Sequence, residues 1–352
     1  MMRQCKTRSR TILILPGLTL TWIWLGFFVF SPLNSSAGDL APPVLPVPNG
    51  YEEVLLASKE MEKLTPVVNG SLPDADTLDT PALREYVEKN SGALALVRFG
   101  LDRPFQVPFV YDSIEAMNPA VKESGILRMM AGRVLYAEGV LARRDKRFAD
   151  SMRSFIDLLR LGDAMSRNVP MILYMASLAP QSLGINGLRD LRGDLDAAQL
   201  RALIDTLKKL DSGREPANEV IRRENAFIDQ NVRKMGALQA TVLIANGFVK
   251  STKKQVESQL EQSSRKVEVR YRLLLADLVV KLSFKENGKY PDTISTPSDP
   301  YSPTNAQFIY RLTKSGYQLY SVGPDGDDDR LDPVLGKRYI ETSNGDLTLD
   351  SL

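Results

Sequence analysis

The chain has 352 residues, of which 43% are hydrophobic and 25% charged, and its formal net charge is +2. This is ordinary for a globular protein of about two domains with a sizeable core, and the near-neutral charge argues against a nucleic-acid partner. With no histidine and a single cysteine, Cys5, the chain lacks the residues for Ser-His-Asp and Cys-His nucleophile systems, histidine-ligated metal sites and an intrachain disulfide.

The N-terminus combines a basic segment, residues 1–10, with an uncharged apolar run over residues 11–31. The run has the length of a membrane-spanning helix, ~20 residues, rather than the ~7–15 of a signal-peptide core. Because positive flanks stay on the cytoplasmic side, we predict a transmembrane signal anchor with the N-terminus cytoplasmic and the bulk of the chain outside, in the periplasm. Cleavage near Ala37, followed by secretion, is the alternative.

A proline-rich linker over residues 32–50 precedes a predicted helical domain over residues 51–265. Its first helix is predicted over residues 51–64. A second begins with Thr80 as the cap and Pro81 in the first turn. The aromatic, proline-containing stretch 103–112 predicts an extended segment packed over a core, with a ligand groove as the alternative.

The clearest helical pair is predicted over residues 126–142 and 148–161. The pair resembles a single tetratricopeptide unit, in which small residues let two helices approach closely, at three positions: Gly139, Phe148 and Phe155. One such unit cannot bury its own apolar face. We therefore expect a helical hairpin inside a larger helical domain rather than a repeat array.

The second half of the helical domain contains further buried and amphipathic helices. Residues 170–183 are strongly apolar but too short to span a membrane, which predicts a buried helix with its methionines in the core. Asp196 and Gln199 have the spacing of a capping box. The helix after them carries one apolar face: Leu200, Leu203, Ile204, Leu207 and Leu210.

One charged cluster in this domain has residue types suited to acid–base chemistry: Glu219, Arg222, Arg223 and Glu224. Glu219 and Arg223 are four residues apart, which predicts a surface ion pair on a helix. Without a histidine or a glycine-rich phosphate loop beside it, the cluster is interpreted as a solvated helix face.

The C-terminal part, residues 266–352, predicts a small α+β module. An apolar helix face ends at Asn287-Gly288, a C-terminal stop. Two alternating segments follow, residues 307–312 and 316–322, and their glycine-containing connection predicts a β-hairpin. A helix laid across this hairpin would bury the apolar faces of both elements.

Residues 271–329 are similar to the C-terminal half of type II secretion major pseudopilins. That family has a long helix, a G-x-Y-P turn, a D-P-W-G-N-P-Y-x-Y segment and then Y-x-L-Y-S-x-G-x-D-G. The corresponding residues here are Gly288 to Pro291, Asp299-Pro300-Tyr301, Tyr310-Arg311 and Tyr317 to Gly326. The resemblance implies a pseudopilin-like fold for the module alone. The whole chain looks like exported bacterial proteins of unknown function.

The acidic loop that follows the hairpin is the candidate metal site, with five carboxylates: Asp325, Asp327, Asp328, Asp329 and Asp332. Carboxylate and carbonyl oxygens are the ligands that calcium prefers. The loop is not an EF-hand, because Arg330 occupies the position of the invariant glycine. The resemblance to pseudopilins, whose loop here binds calcium, implies the same metal; a solvated turn is the alternative. No residue pattern requires a cofactor.

These patterns together favour a membrane-tethered, exported scaffold or interaction protein of the cell envelope. It would be non-catalytic, contact the membrane through residues 11–31 and bind a protein partner rather than nucleic acid. A component related to a type II secretion or pilus machine, with a calcium-stabilised C-terminal loop, is the first alternative. An enzyme of unknown class is the second and has the least support, because no catalytic constellation is present.

Overall fold

A computed structural model describes residues 40–65, 74–331 and 345–350. The chain is mainly helical with one small antiparallel sheet, as the sequence predicts. Within these residues, no helix combines the length and apolar character needed to cross a bilayer. The predicted anchor over residues 11–31 and the cleavage position near Ala37 both lie outside the described residues.

In chain order the helices are α1 (Gly50–Leu64), α2 (Thr80–Lys89), α3 (Ser91–Leu101), α4 (Ile114–Arg144), α5 (Phe148–Ser166), α6 (Met171–Leu191), α7 (Ala197–Ser212), α8 (Ala217–Lys234), α9 (Ala237–Ala245) and α10 (Phe248–Asn287). The strands are β1 (Ile309–Thr313), β2 (Gly316–Ser321) and β3 (Leu347–Thr348).

The predicted helical pair is the hairpin of α4 and α5, and α4 is much longer than predicted. The Ser113 side chain caps α4 by accepting a hydrogen bond from the Ala116 amide at 3.2 Å. Pro119 then lies inside the helix, where the sequence indicates a break. Packing against α2, α5 and α6 keeps the helix continuous across that proline, which local propensity cannot predict.

At the centre of the helical body, α4 and α6 pack closely against the Phe155 ring of α5. Gly139 of α4 and Gly187 of α6 both lie against the Phe155 ring, and a side-chain carbon at either glycine would overlap it. Ser151 adds a hydrogen bond to the Gly139 carbonyl at 2.8 Å. The small residues therefore let three helices close over one aromatic ring, one helix more than the predicted pair.

The capping residues of the helices agree with the predictions except at the start of α2, where the cap lies one residue earlier. Asp196 and Gln199 form both hydrogen bonds of a capping box, and the leucine face of α7 is buried as predicted. The predicted cap of α2 is wrong by one residue. Asp79 accepts from the Ala82 amide at 2.9 Å, so Thr80 is the first helical residue. Asp and Thr are both good caps, and only the backbone geometry distinguishes them.

The stretch 103–112 is extended and packs over the core, as predicted. Val107, Phe109 and Tyr111 are buried, and the ring of Tyr111 packs against that of Phe227 in α8. Of the methionines predicted in the core, Met165 and Met171 are buried, and Met175 packs against the core while partly exposed.

Helix α10 connects the helical body to the sheet. It runs without interruption for 40 residues and ends at Gly288, whose φ of 69° is the left-handed conformation expected of such a stop. It packs against α6, α7 and α8 and also against β2. The boundary predicted between residues 265 and 266 therefore falls inside one continuous helix.

The sheet has the order β1-β2-β3, with both neighbouring pairs antiparallel. Thr313 is opposite Gly316, so the hairpin turn consists of residues 314 and 315. The predicted alternation is incomplete, because Tyr320 is as fully buried as Ser321. The sequence does not predict β3, which makes β2 a central strand, and a central strand can be covered on both faces.

Candidate functional site

A cavity of about 350 Å³ opens between α4 and α6 in the helical body. Phe155 of α5 and Gly187 of α6, which lies against the Phe155 ring, form part of its lining. Tyr136 and Val140 of α4 line one side. Two carboxylates face the same space: Asp76, from the loop before α2, and Asp190, near the end of α6.

Asp76 is the carboxylate of the cavity with a raised pKa. The Tyr136 hydroxyl donates a hydrogen bond to its Oδ2 at 3.2 Å. Burial raises the pKa of Asp76, and the nearby carboxylates of Asp74 and Asp190 raise it further. The Tyr136 hydrogen bond and the charge of Arg144 lower it but do not cancel the increase. The ionised form of Asp76 is therefore disfavoured in this site, and a bound cation would stabilise it.

Two arginines at the cavity are already engaged by groups around it. Arg143 lies 3.2 Å from the Asp194 carboxylate. Arg144 donates to the carbonyls of Leu78 and Ala75 at 2.8 and 3.3 Å, and so holds the loop that carries Asp76. Asp190 is 3.1 Å from Arg189. The cavity thus combines aromatic surface with two carboxylates, bordered by arginines that have partners of their own.

The sequence gives no signal for this cavity. Asp76 belongs to a turn-rich loop that the pattern marks only as irregular, and it reaches Tyr136 and Asp190 through tertiary packing. Gly139 is recognisable from its spacing to Phe155. The role of Gly187, which lets α6 approach the Phe155 ring, depends on a third helix that the predicted pair does not include.

The predicted acid–base cluster on α8 is divided between the surface and the interior. Glu219 pairs with Arg222 at 2.8 Å, so the predicted Glu219–Arg223 pair is wrong. Arg223 instead pairs with Glu215 and donates to the Val169 carbonyl at 2.5 Å. Because the partners of Arg223 lie before α6 and before α8, helical spacing alone could not predict them.

Glu224 contradicts the interpretation of this cluster as a solvated face. It is 1% exposed, and its Oε2 accepts a hydrogen bond from the Met171 amide at 2.9 Å. Met171 is the first residue of α6, and the cap position before it is Pro170, which makes no side-chain hydrogen bond. Glu224 therefore acts as a cap supplied by another helix. Burial raises the pKa of Glu224.

A second ionic cluster joins α3, α4 and α5. Arg98 contacts Asp157 at 2.8 Å and also pairs with Glu138. Ser154 donates to Glu138 at 2.6 Å. Each charged group has an opposite charge beside it, as a buried structural network requires. This network fixes the helices that position Tyr136 and Phe155.

The acidic loop is only partly assembled. Asp325 accepts from the Asp327 amide at 3.2 Å, which is a local turn. Asp328 pairs with Arg311 and accepts from the Tyr320 hydroxyl at 2.9 Å, so its carboxylate holds the loop to the sheet. Asp332 lies outside the described residues. Among the residues that are described, no group of three or more acidic or cysteine side chains is arranged to hold a metal.

A buried carboxylate that the sequence does not single out lies beside this loop. Asp346 is 5% exposed, and its Oδ2 accepts from the Leu331 amide at 2.9 Å. Its Oδ1 is buried and has no hydrogen-bond partner among the described residues. Burial raises the pKa of Asp346. Backbone hydrogen bonds from Leu331 and Asp329 lower it, and the charges of Asp328 and Asp329 raise it, so the net shift is upward. These are the conditions that a cation would relieve.

Several residues that carry the pseudopilin resemblance are joined by hydrogen bonds and ring contacts within the module. The buried Asp299 carboxylate accepts from the Tyr301 amide at 2.9 Å, from the Ser321 hydroxyl at 2.8 Å and from the Val322 amide at 2.9 Å. Tyr290 of the Gly-Lys-Tyr-Pro turn stacks on Phe284 at 4.5 Å between ring centroids. Each of these residues therefore has a structural role in the module.

Comparison of the chain with protein-family models, with curated proteins and with solved structures finds no significant match. The similarity to pseudopilins accordingly rests on the residues quoted above.

Proposed function

We propose that this protein is a non-catalytic, exported scaffold of the cell envelope, tethered through residues 11–31. In this proposal the cavity between α4 and α6 binds a cationic side chain of a partner protein. The observation that carries the proposal is the pair of carboxylates, Asp76 and Asp190, that face one cavity lined by aromatic rings.

A cation fits this cavity for two physical reasons. The mutual repulsion of Asp76 and Asp190 contributes to the raised pKa of Asp76, and a positive charge between them would offset it. The half-buried ring of Tyr136, which lines the cavity, supplies π surface on which a guanidinium can stack. Both features match an arginine or lysine side chain better than a neutral one.

The arginines at the border of the cavity have other partners. Arg143 pairs with Asp194, and Arg144 donates to two backbone carbonyls. Arg189 already pairs with Asp190, so Asp76 is the main carboxylate for an incoming cation. The Asp194 carboxylate balances the charge of Arg143, and the carbonyls hold Arg144 at the edge of the cavity. These two arginines also provide specificity, because an acidic partner segment beside the cationic side chain could pair with them.

Binding is tested with N-acetyl-arginine amide as the probe and N-acetyl-citrulline amide as its neutral isostere. The full chain is labelled with 3-fluorotyrosine, and the Tyr136 resonance is assigned by Tyr136→Phe. Arginine amide should shift that resonance, and citrulline amide should not. Asp76→Asn with Asp190→Asn should abolish the shift, whereas Asp102→Asn, at an exposed carboxylate away from the cavity, should preserve it. An equal response to both amides would contradict the proposal.

The pH dependence of this binding provides a second test. Cation binding requires ionised Asp76, and the pKa of that carboxyl is raised above its usual range. Affinity should therefore fall as the pH decreases through this raised pKa, at a higher pH than an ordinary aspartate would give. Asp76→Asn should remove this dependence.

The tether is tested separately by a reporter fused after Leu352. It should be active outside the cytoplasm and silent when directed to the inside. The intact mass of membrane-extracted protein distinguishes the anchor from the alternative, since a new N-terminus at Gly38 would show cleavage. These experiments test the two parts of the proposal separately, so cation binding in the cavity can be disproved without affecting the membrane tether, and the reverse.

A component related to a secretion or pilus machine is the second candidate, supported by the buried Asp346. Its Oδ1 has no hydrogen-bond partner among the described residues, and the charges of Asp328 and Asp329 act on this carboxylate. In this candidate function, a calcium ion bound near Asp346 would complete the acidic loop. The loop carboxylates expected from the sequence, Asp325 to Asp332, would share the ion with Asp346.

A further inference from the structure

Helix α9 is apolar and exposed. Its sequence is ALQATVLIA, without a charged residue. The side chains of Leu238, Val242 and Ile244 are 81%, 47% and 60% exposed. Single exposed apolar residues are common on protein surfaces, but a whole uncharged helix turned to solvent marks an interaction site.

Among the described contacts, α9 packs against its chain neighbours α8 and α10. It begins three residues after Lys234, whose ammonium contacts Asp112, so it starts beside the helical body. Between α9 and Leu260, the residues of α10 whose burial is described are all at least partly exposed. The apolar face of α9 is therefore left uncovered next to the body.

The chain segments on either side of α9 carry charges of one sign. Residues 230–256 contain five basic side chains and no acidic one: Arg233, Lys234, Lys250, Lys253 and Lys254. Two of the lysines are balanced from outside this stretch, Lys234 by Asp112 and Lys253 by Asp229. Arg233, Lys250 and Lys254 are exposed. The apolar helix is thus flanked by positive charge on both sides.

We propose that α9 is a membrane-docking helix that lies in the headgroup region of an anionic bilayer. Its apolar side chains enter the boundary between headgroups and acyl chains, and the flanking basic residues contact lipid phosphates. A helix of this size is ~13 Å long, less than half of the ~30 Å hydrocarbon thickness, so it lies along the surface and does not cross it.

The charge pattern favours a bilayer over the other occupants of such a surface. A second copy of the chain would bring the same basic residues together, and like charges repel. The apolar run of residues 11–31 has no acidic residue to complement them. An anionic membrane offers both an apolar layer and negative charge. Docking through α9 would give the chain a membrane contact independent of its N-terminus.

The test places an environment-sensitive fluorophore on α9 in the full-length protein. Cys5→Ser removes the native thiol, Ala245→Cys carries the label, and Lys208→Cys on α7 is the matched control. The protein is reconstituted in phosphatidylcholine vesicles, with and without phosphatidylglycerol, and in detergent. We expect a blue shift and quenching by lipid-borne spin labels at Ala245→Cys in the anionic vesicles, and neither effect at Lys208→Cys.

Two sets of substitutions separate the apolar and electrostatic contributions. Leu238→Gln with Ile244→Gln should lower the membrane-inserted fraction of α9 roughly tenfold or more, because apolar burial drives insertion. Lys250→Gln with Lys254→Gln should weaken insertion about fivefold for each lysine and reduce its sensitivity to salt. Circular dichroism should be unchanged, since all four side chains are exposed.

Three results would overturn the proposal. The first is emission at Ala245→Cys that is the same in both kinds of vesicle and in detergent. The second is a blue shift in detergent that grows with protein concentration, which would identify a second copy as the occupant. The third is a blue shift in anionic vesicles without quenching by the lipid-borne spin labels, which would indicate cover by protein, such as residues 11–31, and not by lipid.

Discussion

The helical body and the C-terminal module are held together by different kinds of contact. In the body, three helices close over the Phe155 ring, and the glycines opposite it determine how closely they approach. In the module, a small sheet and its loops are joined by one buried carboxylate, Asp299, which accepts three hydrogen bonds. At these two centres, the body relies on the fit of small residues around a ring, whereas the module relies on satisfied polar groups.

The difference reflects size and secondary structure. Long helices satisfy their own backbone groups, so their packing can be apolar. A three-stranded sheet with long loops has backbone donors that the ladder does not reach, and these need acceptors elsewhere. Because α10 packs against both regions, the question that experiments can answer is whether damage to one region spreads to the other.

The largest expected effect comes from Phe155→Ala in the body. Loss of the ring leaves a cavity where three helices meet, and it should lower the free energy of unfolding by about 3–5 kcal/mol. Urea unfolding followed by circular dichroism measures this change. Lys208→Ala, at an exposed position, is the control and should stay within about 0.5 kcal/mol of wild type. Equally small losses of unfolding free energy at the two positions would show that the three helices do not pack around Phe155.

Asp299→Ala should be the next largest and should act on the module. Two backbone amides and the Ser321 hydroxyl lose their acceptor, which should cost roughly 2–4 kcal/mol. Hydrogen exchange of the β2 amides should accelerate. Asp299→Asn keeps one acceptor oxygen and should cost less. Unchanged hydrogen-exchange rates in α4 and α5 would show that the module can be destabilised without destabilising the body. Faster exchange there would show that the two regions unfold together.

Calcium should stabilise the module by a smaller amount that depends on its concentration. If Asp325, Asp327, Asp328, Asp329 and Asp332 share an ion, the gain follows mass action and reaches ~2.7 kcal/mol at a hundred times the dissociation constant. Thermal unfolding with calcium, magnesium or a chelator measures it. Magnesium should substitute poorly, because it demands strict octahedral geometry. A melting temperature indifferent to all three, in wild type and in Asp327→Ala alike, would leave the aspartates as a solvated turn.

The smallest expected effect is a change of pH dependence at Glu224. Because burial raises its pKa, the folded state binds the proton more tightly than the unfolded state. The stabilisation from this proton is full below the unfolded pKa and is lost as the pH rises through the folded one. Glu224→Gln keeps an acceptor for the Met171 amide and should remove this decline. Identical pH profiles of unfolding in wild type and variant would show that Glu224 is not buried.

Local patterns were sufficient where a short stretch determines the outcome. The capping box at Asp196, the leucine face of α7, the stop at Gly288 and the hairpin between residues 307 and 322 all follow from spacing and turn chemistry. The same reasoning did not apply where a residue finds its partner far along the chain. Glu224 was interpreted as solvated because its helix neighbours are charged, yet it caps a helix that begins 53 positions earlier.

The sequence by itself determined that this chain is mainly helical with a small antiparallel sheet, and that no histidine-dependent chemistry is available to it. These conclusions need only periodicity, turn residues and composition. Tertiary structure decided which charges are buried, that α10 continues across a boundary predicted from a change in composition, and that Asp76 and Asp190 share a cavity. Such features arise from contacts between residues far apart in the chain, and spacing along one element carries no information about them.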